Sequence, residues 1–149
     1  MQFYLHLDGA RARLYVRARG TWALALAEAF REDMRNVRQW VLQSGRTIAI
    51  LTDLSDLSVH AQDIAPVISE GAQQVFGLPV SAYAMIVPTA LMRMQVRRID
   101  PLQQERRLFE TVEDAAAWLG WGDFVPIDLE RPGAPMREVV MPAPSSPCV

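Results

Sequence analysis

A chain of 149 residues, half of them apolar and 21% charged, can bury one sizeable core and has the composition of a globular domain. Its formal charge of −2 gives no general attraction to nucleic acid or to an anionic membrane. All fifteen basic residues are arginine, which excludes Schiff-base chemistry, a lysine general base and a P-loop lysine.

Cys148 is the single cysteine, so no internal disulfide can form. His6 and His60 are the only histidines, and a zinc site of the Cys/His kind is excluded. The opening stretch MQFYLHLDGA carries a charge within its apolar run and lacks a signal-peptide pattern. No apolar run approaches the length of a membrane span. The expected compartment is the cytoplasm.

Phe3 to Asp8 alternates apolar and polar residues and predicts a half-buried strand. Asp8-Gly9 signals a hairpin turn, and Leu14, Val16 and Ala18 alternate with Arg13, Tyr15, Arg17 and Arg19 in a second strand with a wet, arginine-rich face. His6 reads as a solvated strand histidine. Gly20-Thr21 opens a helix with Thr21 as N-cap. Its apolar stripe is Trp22, Leu26, Phe30, Met34, Val37 and Val41, and Gly45 is its stop. Glu28/Arg31 and Glu32/Arg35 are spaced to pair along its outer face.

The stretch from Thr47 to Phe76 organises the rest. Ile48 to Leu51 reads as a buried strand ending at Asp53, followed by a polar loop and a helix that starts near Asp63, its N-cap candidate. Pro66 fits only the first turn of that helix, and Gly71 on its apolar face suggests close approach to the sheet. Val80 to Val87 is another strand, and a basic helix follows from Thr89. Arg106 to Phe109 reads as a short edge strand, and Thr111 opens a last helix that Gly120 ends. Six of the ten prolines fall in residues 123–149, which read as a Pro-rich tail, docked around Phe124, Val125 and Ile127 and partly disordered, after a domain spanning 1–122. The expected fold is a single α/β domain, with a mixed central sheet of about five strands and about four helices.

This order resembles the SpoIIAA-like group of STAS-type domains, related to anti-sigma-factor antagonists. The resemblance lies in the strand ending LTDLSDLS, in VPTALMRMQ after the fourth strand, and in RRLFETVEDAAAWLG, and it covers roughly residues 3–120. It implies a non-enzymatic regulatory module that works by protein–protein contact. In signalling members an aspartate ends the central strand and a phosphorylatable serine stands at the next helix start. Asp53 matches the aspartate, but Ala61-Gln62-Asp63-Ile64 replaces the serine motif, so the usual phosphoserine switch is not expected.

The partner surface expected from this reading is Asp53, Ser55, Asp56, Ser58, His60 and Asp63. Residues 53–70 hold four acids and no arginine, a net −4, whereas residues 93–107 hold five arginines against two acids, a net +3. Opposite charge on successive connections suits docking on a charged partner or on a second copy, as a homodimer. No catalytic residue, metal site or cofactor is assigned, and no nucleic-acid partner is expected. The alternative is a carrier or sensor of a small apolar ligand or lipid, since the resembled group has also been likened to the CRAL-TRIO lipid-transfer fold; Met85, Met92 and Met94 would line its pocket.

Overall fold

The computed structural model describes residues 1–58, 62–87, 94 and 106–142. Among them the chain forms one α/β domain: β1 (Gln2–Asp8), β2 (Arg13–Gly20), α1 (Leu24–Ser44), β3 (Ile48–Leu57), α2 (Ala65–Ala72), β4 (Val80–Ile86), β5 (Arg106–Phe109), α3 (Val112–Leu119) and β6 (Arg137–Val140). The six-stranded mixed sheet runs β5-β4-β3-β2-β1-β6. β1 and β2 pair antiparallel, and every other neighbouring pair is parallel. The basic helix expected from Thr89 lies outside the described residues except for Met94. β6 has no counterpart among the strands expected from sequence.

The β1–β2 hairpin forms where Asp8-Gly9 signals it. Asp8 Oδ1 accepts the Arg11 amide at 3.0 Å, which tightens the loop. The left-handed residue there is Ala12 (φ 54°), not Gly9. Gly9 is needed for space: a Cβ on it would stand 2.9 Å from the Pro142 ring and 3.1 Å from Trp40.

α1 buries the stripe read from its sequence: Leu26, Phe30, Met34, Val37 and Val41 all lie in the core, with Trp22 just ahead of the helix. The cap differs. Thr21 is exposed, Ala23 stands extended at the cap position without a side-chain hydrogen bond, and the helix starts at Leu24. Trp22 is the cause. Its ring packs on Phe3 and Phe30 at 5.5 and 5.4 Å between centroids, and its Nε1–H donates to the Arg19 carbonyl at 2.9 Å. The chain turns into the helix only after that ring is seated. Gly45 ends α1 in the left-handed conformation, as expected.

β3 does not stop at Asp53 but continues to Leu57. The second half of β2 holds it: Arg17 pairs with Asp53, Arg19 with Asp56 and Gly20 with Leu57, a bulge absorbing the extra residue on β3. Leu54 and Leu57 pack against the core, so a segment that reads as a polar loop is half of a long strand.

The sheet has two covered faces. Phe3, Leu5, Leu14, Val16, Ile50 and Met85 face α1 and α2. Tyr4, Tyr15, Leu51 and Ile86 face α3, Trp121 and Leu129. The arginine-rich face of β2 is therefore not simply wet. Residues 121–129 lie across it, with Phe124 edge-on to Tyr15 at 4.8 Å and Arg13 stacked on Trp121 at 4.9 Å. Phe124 and Ile127 pack inward as expected, while Val125 is exposed.

Candidate functional site

A cavity of about 110 Å³ lies between the sheet and the two helices α1 and α2. Its cause is legible in side-chain size. α2 is eight residues long and, apart from Ile68, turns small side chains, Ala65, Ser69 and Ala72, toward the space. Gly71 of the same helix settles directly on α1: a Cβ there would stand 2.7 Å from Phe30 Cδ1 and 3.2 Å from the Arg31 Cα. The close approach expected of Gly71 is thus to α1, not to the sheet. The helices meet at that point, and the floor of Leu14, Val16, Ile50 and Met85 is left incompletely covered beside it.

Polar groups enter the cavity at few places. Thr52 Oγ1 and the Tyr83 hydroxyl lie 3.3 Å apart, both on buried residues. Ser58, exposed just after β3, borders the cavity toward the strand's carboxyl end, and its amide donates to the Gly20 carbonyl at 3.2 Å. Arg106 borders it from β5, as the register partner of Tyr83.

The residues expected to form one partner surface are separated. Asp53 is buried on the opposite face, where its Oδ1 accepts the Ser55 amide at 2.9 Å and its Oδ2 stands 3.8 Å from Arg17 Nε. Asp56 is exposed and meets Arg17 Nη2 at 3.1 Å. Arg17 also donates to the Ile127 carbonyl. Burial works to lower the pKa of this guanidinium, but the hydrogen bond to Asp56 and the neighbouring charge of Asp53 outweigh it and hold the value above the ordinary one. Asp63 is exposed in the turn before α2 and is not its cap; Ile64 holds that position, with no side-chain hydrogen bond. His60 lies outside the described residues.

Arg31 likewise leaves Glu28 and pairs with Glu70 on α2 at 2.8 Å, while Arg35 does meet Glu32, at 3.4 Å. Three of the four acids between residues 53 and 70 therefore face arginines from other elements, with Arg17 shared by Asp53 and Asp56 and Arg31 meeting Glu70, so about half of that stretch's charge is met within the fold. Of the three methionines, Met85 lines the cavity, Met94 is exposed, and Met92 lies outside the described residues.

The opposite face carries a groove of about 330 Å³ between the β1–β2 hairpin and residues 121–128. Its charges are matched internally. Asp123 meets Arg11 at 2.9 Å and Arg13 at 3.0 Å, and the hydrogen bond from Arg13 holds its carboxyl below the ordinary range. His6 lines this groove, half-buried and edge-on to Tyr4 at 6.2 Å.

Sequence reasoning passes over Thr52 and Tyr83, and reads Arg106 only as part of the edge strand and of the basic stretch 93–107. One signal was available for the first: Thr52 is the polar residue among Ile48, Ile50 and Leu54 on the apolar face of β3. Among the described residues no helix is long and apolar enough to cross a membrane. No protein-family model matches the chain, and no curated protein matches it either.

Proposed function

We propose that this chain is a non-enzymatic carrier or sensor of a small apolar ligand, held between the sheet and α1 and α2. The cavity of about 110 Å³ carries the reading, because its walls are aliphatic and aromatic apart from Ser69, the Thr52–Tyr83 pair and its rim. An apolar cavity of about 150 Å³ in another protein stays dry and binds benzene, so a guest of about six heavy atoms is the right scale. Benzene titrated into the protein should bind with a Kd on the order of 1 mM, about −4 kcal/mol. Ala72→Leu, which places a larger aliphatic side chain in the same space, should abolish that binding while leaving the domain folded. Wild-type protein that takes up no benzene would remove the reading.

A second reading keeps the resemblance to SpoIIAA-like, STAS-type domains and makes the chain a regulatory module that binds a protein partner. Exposure of Asp56, Ser58 and Asp63 around the carboxyl end of β3 favours it. Combined replacement of these three residues should cost partner capture from a native lysate without unfolding the domain. Unchanged capture would exclude this surface.

A further inference from the structure

We infer that the guest of the cavity carries one hydroxyl group: a small neutral alcohol or phenol whose oxygen meets Thr52. The inference rests on the carrier reading and names its ligand class.

The place of Thr52 in the sheet carries it. Ile50, Thr52 and Leu54 alternate onto one face of β3, and all three line the cavity. Across the sheet Thr52 stands between Val16 of β2 and Met85 of β4, its register partners, which line the same space. These neighbours call for an apolar side chain, and valine has the shape of threonine without the hydroxyl. Thr52 instead holds a hydroxyl among apolar side chains at 8% exposure. A hydroxyl in such a place costs stability unless it is hydrogen-bonded.

Tyr83 meets part of that demand. The two hydroxyl oxygens lie 3.3 Å apart, and either can be the donor. A threonine hydroxyl has one donor and two acceptor sites, and the contact with Tyr83 takes one of them. Where Tyr83 donates, the Thr52 proton remains for the guest. Where Thr52 donates, its oxygen still accepts. A guest hydroxyl both donates and accepts, so it fits either arrangement, whereas a ketone or an ether fits only the first. Apolar walls disfavour an ionised guest. Arg106, at the border, already interacts within the protein and is not called on.

The test compares phenol with toluene, which share one shape, by calorimetric titration at neutral pH. Phenol should bind at least as tightly as toluene. A cavity without a hydroxyl partner would hold phenol about tenfold less tightly, the scale of burying an unpaired hydroxyl. Thr52→Val should impose that loss on phenol with toluene affinity unchanged, and Thr52→Ser should keep most of the phenol binding. Ser69→Ala should move neither affinity, since a helical serine has the carbonyl one turn back as its acceptor. A wild type that holds phenol about tenfold less tightly than toluene, or a ratio unmoved by Thr52→Val, overturns the hydroxyl assignment even where toluene binds. A ratio that moves in Ser69→Ala instead overturns the role of Thr52. Failure of both toluene and benzene to bind the wild type overturns the carrier reading itself. Should Thr52→Val fail to fold, the wild-type ratio of phenol to toluene still decides.

Discussion

Tyr15 shows how far the setting of one residue departs from its place in the sequence pattern. It stands on the polar side of the β2 alternation, yet it is 5% exposed because residues 121–129 cover it. Its hydroxyl is buried without a partner in hydrogen-bonding geometry, although the Ile127 backbone and the Arg17 guanidinium lie close by. Burial pushes the phenol up to about 12, opposed by the Ile127 backbone and Arg17 and reinforced by Asp53. A raised pKa means that the folded state keeps a proton the unfolded chain gives up. The stability linked to Tyr15 is therefore complete below pH 10 and is lost as the pH rises toward 12, by roughly 3 kcal/mol at about 1.4 kcal/mol per unit. The chain has no lysine, so tyrosines dominate titration in that window. Tyr15→Phe should flatten the loss of urea stability between pH 10 and 12. At pH 7 it should be neutral or stabilising by about 1 kcal/mol, since an unsatisfied buried hydroxyl is removed. An alkaline profile identical to the wild type would show that Tyr15 does not control it.

At the scale of elements, the helix ends divide by where their determinants lie. Thr111 caps α3 by accepting the Asp114 amide at 3.2 Å, and Gly45 and Gly120 end their helices left-handed, because these residues act on backbone a few positions away. Thr21 and Asp63 carry the same local signal, but the burial of Trp22 and the longer course of β3 move the helix starts past them. The seat of α2 on α1 is a contact between elements and rests on Gly71, on Arg31–Glu70 at 2.8 Å, and on Arg38, which donates to the Gln74 carbonyl at 2.8 Å and to the Phe76 carbonyl at 2.5 Å. Gly71→Ala gains about 1 kcal/mol in helix propensity but drives a methyl group into Phe30 and the α1 backbone. The expected result is a net loss of about 1–2 kcal/mol in urea unfolding, with weaker benzene binding as α2 lifts from its seat. An unchanged midpoint would mean that α2 shifts freely on α1.

At the scale of the whole molecule, the first and last strands described are joined. β6 runs parallel to β1, and Arg137 meets Asp33 of α1 through two hydrogen bonds of 2.6 Å across 104 residues. Asp33 is 4% exposed, so its carboxylate depends on that partner, while the bond to Asp33 raises the Arg137 pKa. Arg137→Ala should cost about 2–3 kcal/mol in urea unfolding, and the apolar pair Asp33→Leu with Arg137→Met should recover most of it. A single variant as stable as the wild type would show that the pair is not holding β6 to the domain. The sequence by itself determined the α/β class, the stripe of α1, the first two strands, the edge strand at Arg106 and the helix ends at Gly45, Thr111 and Gly120, because periodicity and short-range hydrogen bonding are properties of neighbours along the chain. Only the tertiary structure decided that Asp53 is a buried partner of Arg17, that β3 extends to Leu57, that residues 121–129 cover the second face, and that α2 leaves a cavity beside Gly71. Each of these depends on which segments meet across the sheet, and spacing along the chain does not encode that meeting.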